Sequence, residues 1–153
     1  MTSFESLIAD FSRMTGLELT PDERAGCVLE TDGIFITVQY RAESDDVVVF
    51  APVSDPGASA RPSKAMLERA LSLAYDGRGT CGAFLGLFDG ELILSVHLPM
   101  QGLDAATLAS RLTAFADAAV SVRAEVAAAA GGDEDDETAA EGDGECNLSA
   151  LRV

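Results

Sequence analysis

Two Asp-Gly dipeptides, Asp32-Gly33 and Asp89-Gly90, each stand between short runs rich in β-branched, aliphatic and aromatic residues. A two-residue loop of this kind takes positive φ at both positions, and its twist matches that of the strands it joins. Each dipeptide therefore commits its neighbours to an antiparallel pair: residues 27–30 with 34–40, and residues 81–88 with 91–98. A further run at 47–52 follows the polar Glu43-Ser44-Asp45-Asp46 and extends the first pair into a meander.

The alternation inside these runs says how the sheet is used. Ile34, Ile36, Val38 and Tyr40 share one face of their strand, with Phe35, Thr37 and Gln39 on the other. Leu92, Leu94, Val96 and Leu98 likewise alternate with Ile93, Ser95 and His97. One face of the sheet is thus core and the other is half polar.

Helical periods fill the rest. Thr2-Ser3-Phe4-Glu5 fits a capping box, and Phe4, Leu7, Ile8 and Phe11 recur at helical spacing until Gly16 offers a C-cap. Pro62 stands near a second helix start, followed by Met66, Leu67, Ala70, Leu71 and Ala74. After Pro99, Asp104 is placed to cap a long helix carrying Leu108, Leu112, Phe115, Ala119, Val122 and Val126. The predicted class is α+β: a twisted antiparallel sheet of about five strands with three helices, in the order α-β-β-β-α-β-β-α.

Charge separates the chain into two parts. Of 26 acidic residues, 8 fall in 131–146 with no basic residue among them, which predicts a folded body over 1–130 and a disordered acidic tail over 131–153. The body keeps 9 basic residues against 18 acidic ones, 9 − 18 = −9, within a whole-chain charge of −16. Nucleic acid and anionic membrane surfaces both require a basic patch, so neither is an expected partner. Cys27, Cys81 and Cys146 are odd in number and form no C-x-x-C pair, which speaks for neither a disulfide framework nor a zinc site. With no signal-peptide pattern at the N-terminus and no apolar run of membrane length, the expected location is the cytoplasm.

Three motifs invite chemistry and fail on context. Gly77-Arg78-Gly79-Thr80-Cys81-Gly82 spells G-x-G-x-x-G, but a helix precedes it and a strand follows, the reverse of a dinucleotide-binding loop; a helix cap and turn is the simpler reading. Asp133-Glu134-Asp135-Asp136-Glu137 lacks the glycine and the terminal glutamate of a calcium loop, which would fall at Thr138 and Gly144. His97 is the only histidine, so histidine clusters are excluded and a surface position opposite the core face is expected. No metal, cofactor or catalytic residue is expected, and the chain reads as a protein-binding domain.

Phe4-x-x-Leu7-Ile8 ending at Thr15-Gly16-Leu17, the Cys27-Val28-Leu29-Glu30 strand before Asp32-Gly33, and the 92–99 strand leading to Leu108-x-x-x-Leu112-x-x-Phe115 together resemble the Tir chaperone (CesT) family, the class I chaperones of type III secretion. The resemblance spans residues 1–130. It implies a homodimer in the bacterial cytoplasm that holds an extended N-terminal segment of a secreted effector, keeps it soluble and releases it at the export apparatus. It also implies a dimer contact around Met66, Leu67, Ala70 and Leu71 with the 81–88 strand. For the partner-binding surface the expected residues are Phe4, Phe35, Ile93 and His97, on apolar pockets within a wettable face. A regulatory module binding a folded partner shares this layout, and a small enzyme is the third reading.

Overall fold

Both Asp-Gly turns close in the left-handed conformation their composition calls for: Asp32 and Gly33 have φ of 49° and 70°, Asp89 and Gly90 of 50° and 82°. The structure, a computed structural model, describes residues 3–54 and 61–131. In chain order the elements are α1 (Ser3–Thr15), β1 (Gly26–Thr31), β2 (Ile34–Arg41), β3 (Asp46–Pro52), α2 (Lys64–Ala74), β4 (Phe84–Phe88), β5 (Glu91–Pro99) and α3 (Ala105–Ala130). Three helices and one antiparallel five-stranded sheet are as the alternation predicts. The acidic segment expected over 131–153 lies outside the described residues beyond Gly131.

The strand order is β1-β2-β3-β5-β4. Because β3 and β4 each pair antiparallel to β5, they run parallel to one another. A parallel pair cannot be joined by a hairpin, so α2 carries the chain across β5 to the far edge. That leaves β1 and β4 as the two edges and β2, β3 and β5 with neighbours on both sides.

The helices gather in one layer: α1 and α2 pack on α3, α3 reaches β2 and α2 reaches β4. Between them and the sheet lie Phe4, Ile8, Ile34, Ile36, Val49, Leu94, Leu108 and Val122, each at most 2% exposed. A side chain of this size contributes roughly 1.5–3 kcal/mol when fully buried. Capping fixes the helix starts, with the Ser63 side chain accepting from the Met66 N–H and that of Asp104 from the Thr107 N–H. Arg123 adds a tie from α3 to the first hairpin, donating to the carbonyls of Gly33 and Asp32 at 3.0 and 3.1 Å.

Two expectations need correction. The run predicted as a strand over 81–88 begins only at Phe84, because residues 77–82 form a turn closed by the Gly82 N–H donating to the Gly77 carbonyl at 2.8 Å. That turn has positive φ at Gly77, Cys81 and Gly82, which a pleated strand does not allow. At Gly79 a Cβ would stand 2.7 Å from the Leu73 carbonyl oxygen, so the glycine-rich spelling serves the close return of the chain onto α2. Phe4, expected on the partner-binding surface, is instead fully buried, its ring stacked on Tyr40 at 5.6 Å between centroids.

Candidate functional site

No helix among the described residues covers the second face of the sheet. Its composition follows from register. One row crosses all five strands, Val28 beside Thr37, Thr37 beside Phe50, Phe50 beside Ser95 and Ser95 beside Phe84. A neighbouring row places Glu30 against Phe35 and Ile93 against Gly86. Val28, Phe35 and Phe84 are 57%, 53% and 67% exposed, while Ile93 is half-buried. Phe35, Ile93 and His97 therefore share this face as expected, and Phe4 lies beneath the other.

A polar cluster closes one end of the same face. Arg41 donates to both carboxylate oxygens of Asp46, from Nε at 3.3 Å and from Nη2 at 3.2 Å. Ser44 also donates to Asp46. These hydrogen bonds, led by that of Arg41, hold the Asp46 carboxyl well below the usual carboxylate range. His97 presents Nδ1 to Arg41 Nη2 at 2.8 Å and to Asp46 Oδ2 at 2.9 Å, and its ring meets Phe84 edge-on at 6.2 Å. Sequence reasoning singled out His97 but missed Arg41 and Asp46, since the cluster forms only once β3 pairs with β5. The apolar contribution of Val28, Phe50 and Phe84 was open to detection from the alternation in their strands.

A second exposed surface lies at the β4 edge. Leu71 and Tyr75 on α2 are 72% and 87% exposed, and Leu87 on β4, which alternates to the helical side, is 58% exposed; Phe88, 77% exposed, alternates to the uncovered face with Phe84. Of the residues expected at a dimer contact, Leu71 belongs to this patch and Met66 and Leu67 are half-buried beside it. Ala70 is 3% exposed and part of the protomer's own core, so it faces inward. Helical geometry separates it from its neighbour Leu71 by about 100° around the axis. Gly86 is unusual for a strand centre: a Cβ there would meet nothing within 4 Å, so the protomer itself places no demand for glycine. Glycine within a strand commonly marks the close approach of another backbone.

Chemistry is sparse. Among the described residues, no group of three or more His, Cys, Asp or Glu could hold a metal ion. Burial pushes the Cys27 thiol up to about 11, with the nearby Asp22 charge acting in the same direction, which suits a core residue and not a nucleophile. A shallow depression at the end of α1 is lined by Ser12, Arg13, Gly16, Leu17, Glu18, Leu19 and Thr20. Among the described residues, no helix is long and apolar enough to cross a membrane.

Comparison with known proteins agrees with this arrangement. The Tir chaperone protein (CesT) family matches residues 6–123. Among solved structures, the chaperone–effector complex HopA1–SchA aligns with a TM-score of 0.63 at 19% identity, covering 80% of this chain and 94% of that one. The Yersinia pestis type III secretion chaperone SycH, solved with a fragment of YscM2, aligns with a TM-score of 0.58 at 22% identity over 78% of this chain and 98% of that one. The ExsC–ExsE complex gives a TM-score of 0.62 at 20% identity, over 75% and 86% respectively. No curated protein sequence matches the chain.

Proposed function

The chain belongs to the Tir chaperone protein (CesT) family, and from that premise we propose that it is a type III secretion chaperone that holds an extended segment of a secreted effector. It keeps that segment soluble in the bacterial cytoplasm and gives it up at the export apparatus. The observation that carries this reading is the uncovered sheet face, where Phe35, Phe84 and Ile93 stand beside Thr37, Ser95 and His97. A soluble domain seldom leaves a broad apolar surface open unless something binds there. Polar residues among the apolar ones keep it wettable while empty.

A partner that is disordered when free suits such a surface. Ordering it on binding costs free energy, which lowers affinity per unit area and leaves release feasible. No catalytic role is assigned: binding and protection are the whole activity. The domain acts as a homodimer through the β4 edge and the exposed face of α2, with Leu71, Tyr75 and Leu87 at the contact and Gly86 admitting the second backbone. The acidic 132–153 segment adds negative charge.

The test is capture of the partner by the tagged full chain from its native lysate, with the bound segment mapped by limited proteolysis. An N-terminal effector segment that is protease-sensitive when free supports the reading. A folded regulator in its place would sink it. Phe35→Asp with Ile93→Asp is expected to abolish capture while the circular dichroism spectrum stays unchanged; loss of the spectrum would place both residues in the core.

A further inference from the structure

One nitrogen at the end of the uncovered face stands between a donor and an acceptor. His97 Nδ1 lies 2.8 Å from Arg41 Nη2 and 2.9 Å from Asp46 Oδ2, and Nη2 itself lies 3.2 Å from that same oxygen. The three atoms close a triangle whose corners come from β2, β3 and β5. A ring nitrogen holds either a proton or a free lone pair, so Nδ1 can serve only one of its two neighbours at a time.

The rest of the cluster decides which neighbour is served. Asp46 is already well supplied, with Arg41 Nε at 3.3 Å and Ser44 on Oδ1 and Arg41 Nη2 on Oδ2. Nη2 carries two N–H groups, one for Asp46 and one for Nδ1, and among the described residues the second has no other acceptor. The neutral ring therefore accepts from Arg41 and keeps its own proton on Nε2. A proton added at Nδ1 reverses the arrangement: Nδ1–H now donates to Asp46 Oδ2, the second Nη2 N–H faces another donor, and two cations stand side by side. Asp46 stays ionised through this exchange, since Arg41 first and Ser44 second hold its carboxyl well below the usual carboxylate range. The half-buried Asp46 is the fixed point, while the exposed Arg41 is free to turn away from the ring.

No other charge touches the ring among the described residues. No helix lies on this face there, and β4 contributes the uncharged Phe84, 6.2 Å away between ring centroids. In the turn between β2 and β3, Glu43 is exposed and Asp45 accepts from the Tyr40 hydroxyl at 2.9 Å. The cluster of Arg41, Asp46 and His97 thus carries no net charge with the ring neutral and one positive charge with it protonated. Histidine is the side chain whose charge ordinarily changes between about pH 5 and 8.

We propose that the Arg41–Asp46–His97 cluster is a proton switch at the end of the partner surface: protonation of His97 moves Nδ1 from Arg41 to Asp46, frees Arg41 from the ring and loosens the hold of the face on a basic segment. This rests on the chaperone reading and adds regulation to it. The acidity of the body favours a basic segment, and a positive charge raised on the face itself opposes one. At a protein surface such a charge is worth roughly threefold to tenfold in affinity.

The full chain, prepared without a histidine tag, has a single imidazole, so its ring signals identify themselves. Ring nitrogen NMR is expected to show the Nε2–H tautomer at the alkaline end of a titration and a proton gained at Nδ1 as pH falls. Arg41→Ala is expected to turn the neutral ring to the Nδ1–H tautomer, because Asp46 is then the neighbour left to serve. Binding is followed by fluorescence polarisation with two labelled synthetic peptides that share their Leu and Phe positions, one with Lys and Ser at its polar positions, the other with Gln in place of each Lys. The Lys peptide is expected to bind at least about threefold more weakly at about pH 5.5 than at about pH 7.5, and the Gln peptide equally at both. His97→Gln is expected to remove the difference. A neutral ring already protonated at Nδ1 in the unaltered chain, or a tautomer indifferent to Arg41→Ala, would overturn the proposal. So would a pH dependence that survives His97→Gln or is shared by both peptides, or a Lys peptide that fails to bind at either pH. The chaperone reading is judged separately: if any of these results appears while an effector segment is still captured through Phe35 and Ile93, the switch is wrong and the chaperone stands.

Discussion

Phe4, in a helical period, and Phe35, in an alternating strand, are the same side chain, and the fold gives them opposite roles. Phe4 is fully buried and stacked on Tyr40, so Phe4→Ala removes buried area and leaves a cavity, an expected loss of about 3–5 kcal/mol in urea unfolding. Phe35 is 53% exposed and its cross-strand neighbour is Glu30. Phe35→Asp sets a second carboxylate opposite the first, an expected cost of less than about 1 kcal/mol, while partner capture is lost. A large destabilisation by Phe35→Asp would show that the face is covered in the folded protein. Asp46 adds a pH dependence. Its carboxyl is held below the ordinary value of 3.8 by Arg41 first and Ser44 second, so the unfolded chain takes up the proton more readily than the folded one. Its contribution is therefore complete above about pH 4–5 and is lost as pH falls through the acid range toward the folded-state value. Asp46→Asn should flatten the acid limb of the stability curve and leave the neutral region's slope unchanged, as read from urea midpoints at a series of pH values.

Elements were legible in the sequence where local chemistry fixes them. Asp32-Gly33 and Asp89-Gly90 require positive φ, the strands around them alternate, and Asp104 caps a helix that runs unbroken from Ala105 to Ala130. What stayed hidden depends on distant pairing. Helical spacing made Phe4 apolar-facing without saying whether core or partner lay on that side, and the 81–88 run concealed a turn whose geometry comes from Gly79 closing on Leu73. The Arg41–Asp46–His97 cluster likewise needs β3 beside β5, a pairing reached only by way of the α2 crossover. The same crossover leaves β4 at an edge with Leu71 and Tyr75 of α2 exposed beside it. At this scale the dimer proposal has a clean test in Gly86, since a side chain there meets nothing within 4 Å in the protomer. Gly86→Val should keep the protomer's dichroism spectrum while light scattering shows a shift from dimer toward monomer. Leu71→Asp should act in the same direction. A dimer indifferent to both would place the contact elsewhere.

For the molecule as a whole, the charge falls in two parts that meet near the end of α3. The described core closes at Val126, and Gly131 caps the helix with its N–H on the Ala129 carbonyl. The body carries −9 and residues 132–153 add −7, from 8 acidic residues and Arg152, to make −16. Such a field acts over about a Debye length, near 10 Å at 0.1 M salt, and speeds the encounter with a basic segment more than it strengthens the final complex. Docking of a partner segment on the sheet face, by contrast, rests on apolar contact at close range. These two contributions separate in one deletion. A chain ending at Gly131 is expected to unfold at the same urea midpoint as the full chain, because no described core residue is lost. Its association rate with a captured basic segment should fall at low salt and converge with that of the full chain near 0.5 M, while the dissociation rate stays the same. A lower midpoint would mean that 132–153 packs on the body, and a faster dissociation would mean that it touches the partner; only the second would make the tail part of the binding site.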